Sequence, residues 1–470
     1  MMMPFDRDAL SARLTQLAQS KNLAGVSACI LGPQDFSYFW NYGFRDAGFS
    51  LPVSSETIFG VASMSKSITA LCFCLLACEG RVSLDDPVCR YVSAFSIPGQ
   101  PREAVTLRHL MMHTAGIPPM EPLEWSIAMN TKDHAPGAWL DAMRAGAPNG
   151  MSTIDQVLEY IAACPYHTLG APGEVMSYSN EGYAILSYAF DAAAGESLES
   201  FMHSRIFAPL GMTRTLLDNG VEATRALAGG NLTSLFEMEE GVRTCDDAWS
   251  ILPPYRGCAM VRSTAPDMAR YYRMLANYGL HEGRQVIPRH AVELLCGMYH
   301  PVTPLNVMCL GINKREKAGH ILCEHSGGLH GVSTKGGLLL GEGYGFCVLC
   351  NQGDEDMDDL MYAMYNAVMG LPLKESHQWF VPQKEPFSSP EMICGQYVGH
   401  EGEISRLTLC EEGGKLCGER DGKPFTALYC GGTRFLALDA KGETLFRLEF
   451  LIRDALAWGV RCGTRVFERT

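Results

Sequence analysis

One run of sequence constrains the fold more than any other. Within FGVASMSKSITALCFCLLACEG, Ile68, Leu71, Cys72, Leu75 and Leu76 recur at the spacing of one helical face. The run 68–78 is nonetheless apolar on nearly every side, interrupted only by Thr69. A helix without a polar face has to be enclosed by other elements. It is about half of the ~18 residues that a membrane span requires, so enclosure by protein is expected. The expectation is a central helix in a large core, and 470 residues leave room for two or three domains of ~150 residues.

The elements around it follow from pattern. The start, MMMPFDRDALSARLTQ, reads as an amphipathic helix and lacks the charged-then-apolar layout of a secretory signal. Gly25–Leu31 and Phe36–Tyr42 flank the polar GPQD and predict a hairpin. Helical patterns fill the middle at Ile154–Ala163, Gly182–Ala194, Leu198–Phe207 and Ala265–Tyr278. CLGINKRE, HILCEH, STKGGLLL and YGFCVLCN then read as strands, with Gly341–Gly345 as a turn, and Met357–Met369 as a closing helix. Strands at both ends with helices between them predict an α+β unit: one mainly antiparallel sheet covered by helices, with an all-helical part. Residues 371–390 carry Pro372, Pro382, Pro386 and Pro390 and read as a linker. Beyond it, turn signals at Gly413-Gly414, Asp421-Gly422, Gly431-Gly432 and Lys441-Gly442 separate short strands, which predicts a small antiparallel barrel or sandwich. The expected domains are therefore 1–370, a linker at 371–390, and 391–470.

The chemistry is concentrated at the start of the apolar helix. Ser63 and Lys66 are one turn apart on one face. A lysine at a buried helix start is opposed by the macrodipole and by desolvation, which favours a neutral amine able to activate a serine. The backbone N–H of Ser63 would also face an oxyanion. A serine that merely caps a helix and a lysine that snorkels would give the same pair. Two further strings add weight. Tyr178-Ser179-Asn180 follows a Pro-Gly turn and precedes a helix, a place where polar side chains face clefts, although a satisfied tyrosine and an Asn cap would also fit. His325-Ser326-Gly327-Gly328 ends a strand, where glycines admit close approach of a ligand; a Gly-rich hairpin turn is the alternative.

In this order, Ser63-x-x-Lys66, Tyr178-x-Asn180 and His325-x-Gly327 resemble the serine β-lactamase and penicillin-binding-protein-like family, and most of all its class C, esterase and D-aminopeptidase branch. TLRHLMMHTAGIP (Thr106–Pro118), FAPLGMTRT (Phe207–Thr215) and STAPDMARYYRML (Ser263–Leu275) look typical of it. The resemblance covers roughly residues 8–370 and implies a β-lactamase/transpeptidase-like fold. It implies a serine hydrolase cleaving esters or amides of a small molecule or short peptide. Ser63 would be the acylated nucleophile, Lys66 and Tyr178 the acid–base pair, and Asn180 an orienting group. Ser326, Gly327 and Gly328 would lie along the substrate, with the N–H groups of Ser63 and Gly328 forming the oxyanion hole. No metal and no cofactor are implied. His325 stands where many members have lysine, and a mostly neutral imidazole anchors a substrate carboxylate less well. That argues for neutral esters and amides over β-lactams, with a D,D-peptidase or β-lactamase proper as the same-class alternative and a scaffold on the same fold as another. Members of this kind also carry a lipocalin-like barrel, matching the C-terminal strands, which would cap the cleft or join an oligomer.

Composition narrows the partners. The net charge is −14 and no basic stripe occurs, which disfavours nucleic acid and anionic membrane. Eighteen cysteines without a signal peptide suggest a reducing, cytoplasmic setting. Cys347 and Cys350 should fall on opposite faces of one strand, so a redox pair is not expected. His109 and His113 lie four apart but lack the companions of a metal site.

Overall fold

The computed structural model describes residues 5–131, 138–239, 241–297, 300–303, 306–401 and 404–470. The expected hairpin forms as β1 (Gly25–Leu31) and β2 (Ser37–Gly43), joined by a turn in which Gln34 and Asp35 take φ of 53° and 57°. Two successive left-handed residues match the twist of the flanking strands. Six later strands complete the sheet: β3 (His300–Thr303), β4 (Asn306–Met308), β5 (Asn313–Lys317), β6 (His320–Leu329), β7 (Val332–Leu339) and β8 (Tyr344–Cys350). Their order is β3-β4-β5-β6-β7-β8-β1-β2, antiparallel throughout. The two ends of the unit thus meet where β1 pairs β8, with Cys29 opposite Cys347.

Alternation along these strands gives the sheet two apolar faces. One packs Ile30, Phe346 and Val348 against Leu10, Leu14, Met361 and Tyr365 of the outer helices α1 (Arg7–Ser20) and α5 (Asp358–Met369). The other packs Cys29, Cys347 and Leu349 against α2 (Ser65–Cys78) and α4 (Ala265–Ala276). Each buried aliphatic side chain contributes about 1.5–3 kcal/mol. Cys347 and Cys350 fall in different clusters on opposite faces, as alternation requires. Residues 65–76 of α2 are all buried, so the apolar run is indeed the enclosed central helix. Helices Pro122–Asn130, Ala138–Gly146, Ile154–Ala162 and α3 (Asn180–Ala194) form the helical part. The single helix expected over Leu198–Phe207 is instead a helical turn at Leu198–Met202 that widens over His203–Phe207.

The C-terminal strands close into an eight-stranded antiparallel barrel running from Gly395–Gly399 to Arg465–Arg469, which pair with each other through Tyr397 and Arg469. Tyr397, Leu407, Phe425, Phe435, Leu448 and Phe450 fill it, giving a packed interior. The proline-rich stretch before it is anchored: Phe380 is buried against Cys430 and Leu436, and His377 contacts Asn366 at 2.9 Å. Among the described residues, no helix is long and apolar enough to cross a membrane.

Candidate active site

Ser63 sits in a single tight turn, Ala62–Met64, that leads into α2 at Ser65, one residue later than a Ser63 cap would place it. Ala62 takes a left-handed φ of 46° while buried against Leu235, Trp249 and Val332. Such a conformation costs on the order of 1–3 kcal/mol and persists where the surroundings over-determine it. The tail of β6 and the start of β7 supply part of that constraint. Thr334 Oγ1 donates to the Val61 carbonyl at 3.1 Å, and a Cβ on Gly327 would lie 2.5 Å from the same oxygen. Glycine is therefore required for the strand to run beside the serine turn. The His325–Gly328 string lies within β6, paired to β7, and is not a hairpin turn.

Lys66 is fully buried, and its Nζ donates to Ser63 Oγ at 2.9 Å, Asn180 Oδ1 at 3.0 Å and Cys258 Sγ at 2.9 Å. The helix dipole and burial, taken alone, led to the neutral amine expected from the sequence. Burial acts to lower its pKa, whereas negative charge on Cys258 or Tyr178 and hydrogen bonds to them act to raise it, and the net direction is upward. The partners absent from the sequence argument pull the other way.

Ser179 caps α3 by accepting from the Gly182 N–H at 3.1 Å, which leaves Asn180 free to reach Lys66. The Tyr178 ring lies 4.8 Å from Lys66 Nζ and stacks on His113 with centroids 4.1 Å apart. His113 Nδ1 accepts the Ser179 N–H at 3.0 Å; burial, then Lys66, hold this imidazole well below its ordinary range. His109 instead caps its own helix, accepting from the Thr106 N–H at 3.2 Å. His325 is buried, its Nε2 has no hydrogen-bond partner among the described residues, and burial followed by Lys66 pushes it down to about 3. It is neutral at pH 7. A Cβ on Gly328 would meet nothing within 4 Å, so this position faces open space.

Sequence reasoning expected the barrel to cap the cleft or join an oligomer, but named none of the barrel residues that reach the site. The Thr464 carbonyl accepts the Tyr178 N–H at 2.9 Å, and the Val466 N–H donates to Ser177 Oγ at 3.2 Å. Arg465 stacks on the outer face of Tyr178 at 4.3 Å and forms a two-point ion pair with Glu401, Nη2 to Oε1 being 2.5 Å. Glu401 in turn accepts from Asn180 Nδ2 at 3.1 Å. Ser63, Tyr178, Asn180, Gly328, Glu124 and Arg465 all line one cleft of about 620 Å³. Glu124 Oε2 has no partner among the described residues; burial, then Glu401 and Glu181, hold that carboxyl well above its usual range. Nothing local marks Cys258, Glu401 or Arg465, since each enters the site through long-range packing. Among the described residues, no group of three or more His, Cys, Asp or Glu side chains could hold a metal ion.

The three sequence motifs thus converge on one cleft. The Beta-lactamase family model matches residues 10–368. The chain belongs to the beta-lactamase family. Within this family it is 30% identical over 185 residues to penicillin-binding protein 4* of Bacillus subtilis strain 168, covering 39% of this chain and 36% of that protein. It is 28% identical over 221 residues to esterase EstB of Burkholderia gladioli, covering 44% and 51% respectively. The chain therefore spans about a third to a half of the length of these two relatives. The octameric penicillin-binding protein homologue from Pyrococcus abyssi superposes with a TM-score of 0.66 at 22% identity, covering 98% of this chain and 99% of that one. That likeness extends the shared fold across the barrel as well as the family domain.

Proposed function

We propose that this member of the family is a serine hydrolase that cleaves an ester or amide bond of a small molecule or short peptide through an acyl-enzyme on Ser63. The observation that carries this reading is Lys66 Nζ at 2.9 Å from Ser63 Oγ, in a cleft that Tyr178 and Asn180 share. Ser63 Oγ attacks the carbonyl carbon while its proton passes into the Lys66–Tyr178 pair. At this step the pair carries one proton fewer than ammonium plus phenol and so has a place for it, and the pair then returns the proton to the leaving group. Water then attacks the acyl-enzyme and the proton traffic reverses. Backbone N–H groups of Ser63 and Gly328 receive the negative charge that develops on the carbonyl oxygen. Asn180 orients Lys66 and the substrate, and Ser326 and Gly327 border the bound acyl group.

His325, held neutral, offers no cation to a substrate carboxylate. Arg465 is the cation of the cleft wall, but Glu401 already neutralises it. Both points favour uncharged esters and amides over penicillins. We read residues 1–370 as the catalytic unit, 371–390 as a strap, and 391–470 as a lipocalin-like barrel that caps the cleft. Eighteen unpaired cysteines support a reducing, cytoplasmic setting. The octameric relative motivates measuring the mass of the native particle by light scattering. The deciding experiment is intact-mass analysis after incubation with a fluorophosphonate, followed by peptide mapping. One adduct on Ser63, absent from Ser63→Ala, is expected; no adduct, or an adduct elsewhere, refutes the assignment.

A further inference from the structure

We propose that Cys258 is a positioning residue for catalysis: its sulfur closes a three-membered ring of side chains with Lys66 and Asn180 and so fixes where the Lys66 amine points. The inference rests on the hydrolase reading above. The ring is defined by three distances: Lys66 Nζ to Cys258 Sγ 2.9 Å, Cys258 Sγ to Asn180 Oδ1 3.3 Å, and Lys66 Nζ to Asn180 Oδ1 3.0 Å. An ammonium has three protons. Ser63 Oγ, Asn180 Oδ1 and the sulfur are the nearest acceptors, at 2.9–3.0 Å, and together restrict where those protons point. The thiol is held protonated, chiefly by burial, so it can accept from Lys66 and donate onward to Asn180. The Cys258 carbonyl also lies 3.3 Å from Nζ.

The sulfur is held where this geometry needs it. Cys258 belongs to a short helical turn, Arg256–Ala259, tied to the two helices that carry Lys66 and Asn180. Thr69 Oγ1 of α2 donates to the Gly257 carbonyl at 2.7 Å, and the Gly257 N–H donates to Ser187 Oγ of α3 at 3.0 Å. A Cβ at Gly257 would lie 2.6 Å from that hydroxyl, so only glycine permits the approach. Arg256 donates to Glu199 at 2.8 Å and to the Ser187 carbonyl at 2.9 Å. Most of the other buried thiols lie in apolar clusters, whereas Cys258 also borders the cleft. A sulfur there that only filled space would not need a donor and an acceptor within reach.

The test compares Cys258→Ala and Cys258→Ser with the wild-type chain, using p-nitrophenyl butyrate across the pH range. Alanine should lower kcat roughly tenfold to a hundredfold, the size expected for one lost hydrogen bond to a charged group, with KM nearly unchanged. The limb of the pH profile that reports Lys66 should move to lower pH, because the acceptor that favours its charged form is gone. Serine, which both accepts and donates, should hold kcat within about tenfold and leave that limb in place. A wild-type profile in the alanine protein overturns the proposal, and so does a slower alanine protein whose limb has not moved. If the alanine protein does not fold, Cys258→Val, which keeps the volume without donor or acceptor, takes its place with the same two criteria. A wild-type chain that neither hydrolyses the ester nor labels at Ser63 sinks the hydrolase reading itself, which sets that failure apart from this one.

Discussion

Replacing Arg465 by alanine should damage the site from a distance. The guanidinium makes two charge-assisted hydrogen bonds to Glu401 and covers the Tyr178 ring, and the two partners' side chains are only 23% and 25% exposed. Losing hydrogen bonds to a charged group costs about 1.5–3 kcal/mol, and the cation over the ring adds about 0.5–1 kcal/mol. Discounted for residual solvent at the pair, the sum is about 2–3 kcal/mol. Expressed wholly on transition-state stabilisation, this is roughly a 30- to 150-fold fall in kcat/KM. Glu401 is then left as a lone carboxylate on Asn180, so Arg465→Ala combined with Glu401→Gln should recover most of the loss. The glutamine carbonyl can still accept from Asn180 Nδ2 while no unpaired charge remains. The assay is kcat/KM for p-nitrophenyl butyrate in the four proteins of the cycle, with a thermal melt of each. Wild-type kcat/KM in Arg465→Ala, or a double mutant as impaired as the product of its singles, would refute the coupling between barrel and site.

Tyr178→Phe removes one hydroxyl, so the melt should be nearly unchanged while acylation slows by roughly 10²–10⁴-fold. A Lys66→Ala change added to it should cost far less than the product of the two single losses, and fully multiplicative losses would show independent groups. His325 gives a signature in acid stability. The unfolded chain takes up its proton below about 6.5 and the folded protein only near 3, so stability is complete above that window and falls as pH drops through it. His325→Gln should therefore lose less Tm than wild type between neutral pH and mildly acidic buffer; parallel curves would contradict the buried neutral imidazole. For substrates, kcat/KM should favour p-nitrophenyl butyrate over nitrocefin, and the reverse order would restore the β-lactamase alternative.

What was legible in the sequence was local. Ser63 and Lys66 are one helical turn apart, Tyr178 and Asn180 straddle a helix cap, and the sheet residues alternate, so a few neighbours suffice to place each of them. The surroundings of the Lys66 amine were not legible, because its sulfur partner, Cys258, lies 192 residues away along the chain. The Gly327-Gly328 pair invited a turn, and only the carbonyl of Val61 pressed against Gly327 explains why glycine stands in a strand. Arg465, on the last strand, and Glu401, just past the first strand of the barrel, look like ordinary surface charges until the barrel is docked. Nothing in Leu198–Phe207 announces its wide final turn.

The barrel segment at Thr464 and Arg465, which meets Tyr178, has a consequence in time. Ribosomal synthesis delivers Ser63 and Lys66 early, while Thr464 and Arg465 follow Ser63 by 401 and 402 residues. Until those later strands have closed and docked, the Tyr178 N–H lacks its carbonyl and Asn180 lacks its carboxylate. Contacts so far apart along the chain form late in folding. On the proposed mechanism, a nascent or half-folded copy would carry Ser63 without the finished pocket, and the onset of hydrolysis would wait on the docking of the barrel.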